Sequence, residues 1–154
     1  MLITARVPHG PARRRGVIGY ARSDDLLNWD VQPPLTEPAG FGHLEVPQVA
    51  VVDGQPLLLF RTNLIDRSDA AAADQVWAVP GASVTGPWDL RAARPVPCPG
   101  LYAPRLVRAG TGSWQLIGLV NEREGVFVGE LTDPVPVRYT AADGLRLSGG
   151  SGAP

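Results

Sequence analysis

Glu45 is the residue of this sequence whose setting best suits proton transfer. It lies in the segment Gly42-His43-Leu44-Glu45-Val46-Pro47, between two apolar residues and just before a strand-like run. A carboxyl group among apolar neighbours is held in its protonated form more readily than one in water, and a general acid needs that form. His43 lies two residues earlier and shares a side with Glu45 if the segment is extended. The pattern favours Glu45 as a general acid/base; the alternative is that it caps a turn or pairs with an arginine.

Other reaction chemistries lack their usual sequence support. The chain contains no G-x-S-x-G elbow, no phosphate-binding loop, and no H-E-x-x-H or C-x-x-C motif. Its two histidines, His9 and His43, are too few for a histidine-rich metal site, and its one cysteine, Cys98, permits no internal disulfide. We therefore expect no metal and no cofactor, a solvated loop at His9 and a buried, inert thiol at Cys98.

Short β-rich runs recur along the chain, and helix signals are nearly absent. Turn residues separate the runs, as at Asp53-Gly54, Pro80-Gly81 and Asp143-Gly144. The runs cover residues 17–21, 49–52, 57–60, 76–79, 114–120 and 126–128. Many short strands with glycine and proline between them predict an all-β fold.

The runs repeat with a period typical of propeller blades. Pro47 and Pro104 each precede a glycine turn and an apolar strand and are 57 residues apart, while Trp29 and Trp88 follow a second strand type and are 59 residues apart. Because proline lacks an N–H donor, both prolines are predicted at strand entries. Each tryptophan is predicted to cover the neighbouring unit. The predicted blade units are residues 1–35, 46–95 and 102–147, followed by a flexible tail at 148–154.

Six short segments resemble glycoside hydrolase family 32 in their order and spacing, from residue 1 to about residue 140. They are IGYARS (18–23), DLLNW (25–29), LEVPQV (44–49), GPW (86–88), YAP (102–104) and LIG (116–118). The family comprises invertase, levanase and inulinase relatives built on a five-bladed β-propeller. The resemblance implies that architecture as a partial fragment of about 2.5–3 blades, from the C-terminal half of the catalytic propeller. It also implies retaining hydrolysis of fructofuranosyl or related furanosyl linkages.

The resemblance also implies roles for individual residues. In the family a Glu-Cys-Pro-Asp segment carries the general acid/base, and the matching residue here is Glu45, with Val46 and Gln48 replacing the cysteine and the aspartate. An Asp-Phe-Tyr-Ala segment that lines the family's sugar site is matched by residues 100–103, which keep Tyr102 and lose the acid. We predict Glu45 as catalytic and Tyr102 and His43 as substrate-binding.

The family's other two catalytic carboxyls have no match in this chain. The family's nucleophile lies in a Trp-x-Asn-Asp-Pro motif and its transition-state stabiliser in an Arg-Asp-Pro motif, and neither motif occurs here. A retaining glycosidase needs two carboxyls roughly 5 Å apart. Asp24, Asp25 and Asp30 belong to the turn around Trp29 and are predicted to be surface acids. We therefore expect this chain alone to be inactive toward sucrose, inulin or levan.

Two other functions remain open on the sequence. One is a non-catalytic carbohydrate-binding propeller, in which Glu45 and Tyr102 only hydrogen-bond to and stack on a sugar. The other is an inverting arabinanase or xylosidase relative of family 43. In that family the acid tends to lie in a Glu-Gly-Pro setting, which Glu45-Val46-Pro47 does not match.

The overall composition narrows the expected partners. All 14 basic side chains are arginine, and with 15 acidic residues the net charge is −1, so there is no electrostatic reason to expect nucleic acid or an anionic membrane. No apolar run approaches the roughly 18 residues of a membrane span, and residues 1–6 lack signal-peptide anatomy. We expect a carbohydrate partner, neither nucleic acid nor a membrane, and a cytoplasmic location by default.

Overall fold

The fold is that of a computed structural model, which describes residues 1–62 and 75–148. These residues form strands and two short 3-10 helices, at Ala12–Arg14 and Leu90–Ala92. The strands are β1 (Leu2–Arg6), β2 (Gly16–Arg22), β3 (Asp30–Gln32), β4 (Glu45–Val52), β5 (Gln55–Thr62), β6 (Gln75–Pro80), β7 (Arg94–Val96), β8 (Leu101–Arg108), β9 (Trp114–Arg123), β10 (Val126–Leu131), β11 (Val135–Thr140) and β12 (Gly144–Leu147). The predicted all-β class is confirmed. Of the predicted tail, only residue 148 lies within the described residues.

The strands form three antiparallel sheets that follow one another along the chain. The first sheet has the order β1-β2-β3 and the second β4-β5-β6-β7. In the third, β8 pairs with one edge of β9, while β10 and β11 pair in succession along its opposite edge and β12 pairs with β11. No helix in the part of the chain that the structure describes is long and apolar enough to cross a membrane.

The second sheet is buried on both faces. Leu57 and Leu59 of β5 belong to a core shared with the third sheet, whereas Leu58 and Phe60 belong to a core shared with the first. Successive side chains of a strand point to opposite faces, so a strand between two cores is apolar at every position. This packing explains why residues 57–60 are a continuous apolar run rather than an alternating one.

Pro47 and Pro104 do not lie at strand entries, and that prediction is wrong. Pro47 is the third residue of β4 and Pro104 the fourth residue of β8, and each lies in a β-bulge where the strand register shifts by one residue. The preceding residues, Val46 and Ala103, have the same positive φ of 46°. A bulged residue is left out of the hydrogen-bond ladder, so a bulge accepts a proline without loss of a ladder bond.

The repeated tryptophans have different surroundings. Trp88 is buried at 4% exposure in the core between the first two sheets, as predicted, where it packs in one cluster with Ile18 of β2. Trp29 is 39% exposed, belongs to neither of the two core clusters of the described residues, and donates its indole N–H to the carbonyl of Leu26 at 3.2 Å. Trp88 packs against the first sheet, which precedes its own sheet along the chain. Trp29 lies beside β3 of the first sheet, and the described residues hold no earlier sheet against which it could pack in the same way.

Candidate functional site

Glu45 is the first residue of β4 and lies directly before the bulge in that strand. The register pairs Glu45 with Arg61 of β5, and the next printed pair is Gln48 with Leu59. Two residues of β4 therefore lie opposite one residue of β5. Because a shift of one residue exchanges the two faces of a strand, the bulge decides that the side chains of Glu45 and Arg61 share a face.

Arg61 forms an ion pair with Glu45. A terminal nitrogen of Arg61 donates to Oε2 of Glu45 at 3.3 Å. The side chain of Arg61 is 12% exposed and that of Glu45 is 24% exposed, so water screens this pair less than a pair on the open surface. The sequence left two interpretations of Glu45 open: a general acid/base, or a residue that caps a turn or pairs with an arginine. The structure shows the contact with an arginine that the second interpretation predicts.

Tyr102 in β8 corresponds to Glu45 in β4, because each is the last paired residue before the bulge of its strand. Its ring lies under the guanidinium of Arg61, whose Cζ is 4.8 Å from the ring centroid, within the range of a cation–π contact. Arg61 thus contacts a residue of its own sheet and a residue of the next one.

His43 completes the cluster from the segment before β4. Its Nδ1 is 3.7 Å from Oε1 of Glu45, and its side chain is 35% exposed. The three residues predicted from the sequence, His43, Glu45 and Tyr102, therefore lie together, with Arg61 between Glu45 and Tyr102.

Gln48, which stands where the family has an aspartate, links two sheets. Its carboxamide donates to the carbonyl of Leu106 at 2.7 Å and accepts from the N–H of Leu106 at 2.8 Å. Arg105 adds a bond from its guanidinium to the carbonyl of Val46 at 2.6 Å. These bonds join β4 to β8 directly beside both bulges and so fix Glu45 relative to Tyr102.

The three acids near Trp29 and the single cysteine have surroundings that fit a structural role. Asp24, Asp25 and Asp30 are exposed. The carboxylate of Asp25 accepts bonds from the backbone of Asn28 and Leu27 and from the side chain of Asn28, and these bonds hold the pKa of Asp25 well below its usual range. Burial raises the pKa of Cys98 to about 12, which keeps it a thiol at neutral pH. Within residues 1–62 and 75–148 no group of three or more His, Cys, Asp and Glu side chains could hold a metal ion.

The cluster combines the groups that recognise sugars. A carboxylate accepts hydrogen bonds from hydroxyl groups, a guanidinium donates to their oxygens, an imidazole does either, and a tyrosine adds a ring and a hydroxyl. The carboxylate of Glu45 is paired with the guanidinium of Arg61 at 3.3 Å. The arrangement can therefore offer hydrogen-bond acceptors, donors and an aromatic ring to one ligand.

Sequence reasoning did not single out Arg61, although part of the signal is present. The two-residue Asp53-Gly54 turn pairs Val52 with Gln55, and counting outward along a regular hairpin places Arg61 opposite Val46. Only the bulge moves Arg61 to Glu45. A proline inside a strand, rather than at its first residue, is one signal of such a bulge.

The comparisons with known proteins agree with this fold. No family model and no curated protein sequence matches the chain. Among solved structures, the GH32 β-fructofuranosidase BmSUC1 of Bombyx mori matches with a TM-score of 0.70 at 19% identity over 97% of this chain and 34% of that one. A mutant of that enzyme in complex with sucrose matches with a TM-score of 0.72 at 18% identity, over 98% of this chain and 34% of that one. The sucrose-6-phosphate hydrolase of Lactobacillus gasseri matches with a TM-score of 0.65 at 16% identity, over 88% and 31%.

These likenesses confirm the fold that the sequence resemblance implied. The chain has the all-β, propeller-like fold of the glycoside hydrolase family 32 structures and forms part of such a propeller. It spans about a third of the length of the solved proteins that it matches. The described residues therefore form a partial, all-β propeller of the kind seen in those structures.

Proposed function

We propose that this chain is the acid/base-bearing part of a glycosidase propeller that acts on fructofuranosyl or related furanosyl linkages. Glu45 is the general acid/base, and Tyr102 and His43 bind the sugar. The observation that carries the proposal is that two separate segments of the sequence meet: Arg61 contacts both Glu45 and Tyr102, and His43 contacts Glu45. The fold likeness to a β-fructofuranosidase crystallised with sucrose supports the class of ligand.

In the proposed reaction Glu45 acts twice. It protonates the departing glycosidic oxygen, and its carboxylate later removes a proton from the water that attacks the glycosyl-enzyme. The nucleophile of a retaining reaction is a second carboxyl roughly 5 Å away, and the motif that supplies it in the family does not occur in this sequence. We therefore propose that the chain alone binds sugar and does not cleave it.

The assay is fructose release from sucrose, inulin and levan by the purified chain, together with sucrose affinity by calorimetry. We expect sucrose binding without turnover, and weaker binding by Glu45→Gln than by the matched exposed control Glu37→Gln. Release of fructose that Glu45→Gln abolishes would overturn the proposed inactivity and retain the acid/base role. Absence of any sugar binding would overturn the proposal.

The ion pair between Glu45 and Arg61 favours a second candidate, a carbohydrate-binding propeller without catalysis. A carboxylate that is paired with a cation can accept hydrogen bonds from hydroxyl groups without taking part in proton transfer. Supplying the missing propeller strands in trans distinguishes the two functions. Turnover on addition supports the glycosidase, whereas affinity that persists without turnover and survives Glu45→Gln supports the binding module. If turnover occurs, the anomer released, read by NMR, separates a retaining enzyme from an inverting relative of family 43.

A further inference from the structure

We propose that Arg61 is the positioning residue of this site: it holds the carboxylate of Glu45 and the ring of Tyr102 in one arrangement, so that sugar recognition by either residue depends on it. The inference rests on the proposed function for the identity of the ligand, a furanosyl sugar. It goes further in assigning a role to a residue that neither the motifs nor the family resemblance indicated.

Arg61 links two sheets. It lies on β5, one strand further from the sheet junction than Glu45, and it reaches across to Tyr102 of the third sheet. Glu45 and Tyr102 have no hydrogen bond to each other among the described residues, so the guanidinium is the contact that they share.

The guanidinium of Arg61 can make two kinds of contact at once. A guanidinium is planar, so it can donate from its edge to a carboxylate while its face stacks on an aromatic ring. In this site a terminal nitrogen of Arg61 is 3.3 Å from Oε2 of Glu45, and the Cζ of Arg61 is 4.8 Å from the centroid of the Tyr102 ring. Lysine could replace the charge and would not replace the planar group. Arg61→Lys therefore separates the two contributions.

The side chain of Arg61 is largely buried. It is 12% exposed, so its position is restricted by neighbours rather than set by solvent. The chain offers a contrasting pair, Arg91 and Asp89, at 2.8 Å with side chains 82% and 52% exposed. Exposed pairs contribute little to stability or geometry. Arg91→Met is therefore a matched control that removes an ion pair without disturbing a buried one.

The main experiment is a double-mutant cycle on sucrose affinity with the full chain. If Arg61 holds both Glu45 and Tyr102, Arg61→Met weakens sucrose binding about tenfold or more in the wild-type background and by a clearly smaller factor in a Glu45→Gln background, where only its contact with Tyr102 is lost. We expect partial recovery with Arg61→Lys and no change with Arg91→Met. An equal loss in both backgrounds, or no loss at all, would overturn the inference.

A ligand-free measurement keeps the inference testable if sucrose does not bind. Because Arg61 joins Glu45 to Tyr102, Glu45→Gln should shift the NMR signals of the Tyr102 ring in the wild-type background and leave them unchanged in an Arg61→Met background. Failure to bind sucrose with this dependence intact refutes the proposed function and retains the positioning role. A Tyr102 shift that persists without Arg61 refutes the positioning role alone.

Discussion

Replacing Gln48 by leucine should destabilise the protein by separating the second sheet from the third. Leucine is apolar and makes neither of the two bonds to Leu106, at 2.7 and 2.8 Å. Leu106 is 3% exposed, and its N–H and C=O face β4 rather than β9, so no strand partner replaces the lost carboxamide. The substitution thus leaves one donor and one acceptor without partners.

The magnitude follows from the cost of unsatisfied polar groups. Each costs about 1–3 kcal/mol when buried, and the half-buried position of Gln48 gives water some access, so we expect a total loss of about 2–3 kcal/mol. For a domain of this size each kcal/mol lowers Tm by about 2–4 °C, which predicts a fall of about 4–12 °C.

Urea unfolding followed by tryptophan fluorescence measures this loss, with the m-value expected to stay constant. The control is Gln32→Leu, since the side chain of Gln32 bonds only to Asp30 in its own exposed strand, and its expected effect is within about 0.5 kcal/mol. A loss below about 0.5 kcal/mol for Gln48→Leu would refute the claim that this carboxamide joins the sheets.

Three further outcomes are expected. Cys98, whose pKa burial raises to about 12, should not react with a thiol reagent at pH 8 until urea unfolds the chain, and reaction in the folded state would contradict its burial. Gly81→Ala should lower the unfolding free energy by about 1–3 kcal/mol because the new Cβ would lie 2.5 Å from the ring of Trp88, whereas Gly110→Ala meets open space and should be nearly neutral. The chain should self-associate in sedimentation experiments, because Phe127 on the edge strand β10 is 76% exposed. Phe127→Glu should reduce that association, and a concentration-independent monomer would contradict the expectation.

The sequence alone determined the strands and the repeat. Each predicted run lies within a strand of the structure, because β-branched and aromatic residues between turn residues specify strands locally. The 57-residue offset between Pro47 and Pro104 corresponds to a true structural equivalence, since both lie in bulges with the same preceding φ. The sequence also predicted roles for Glu45 and Tyr102, and the structure places these two residues at matching positions before those bulges.

Only the tertiary structure decided what Glu45 faces. A regular hairpin counted from the Asp53-Gly54 turn would place Arg61 opposite Val46, with its side chain on the other face from Glu45. The bulge requires positive φ at Val46, a conformation that a β-branched residue disfavours on its own. Contacts from the third sheet hold it, including the bond from Arg105 to the carbonyl of Val46. Because those contacts join residues almost 60 positions apart, local sequence preferences could not reveal the ion pair at the centre of the site.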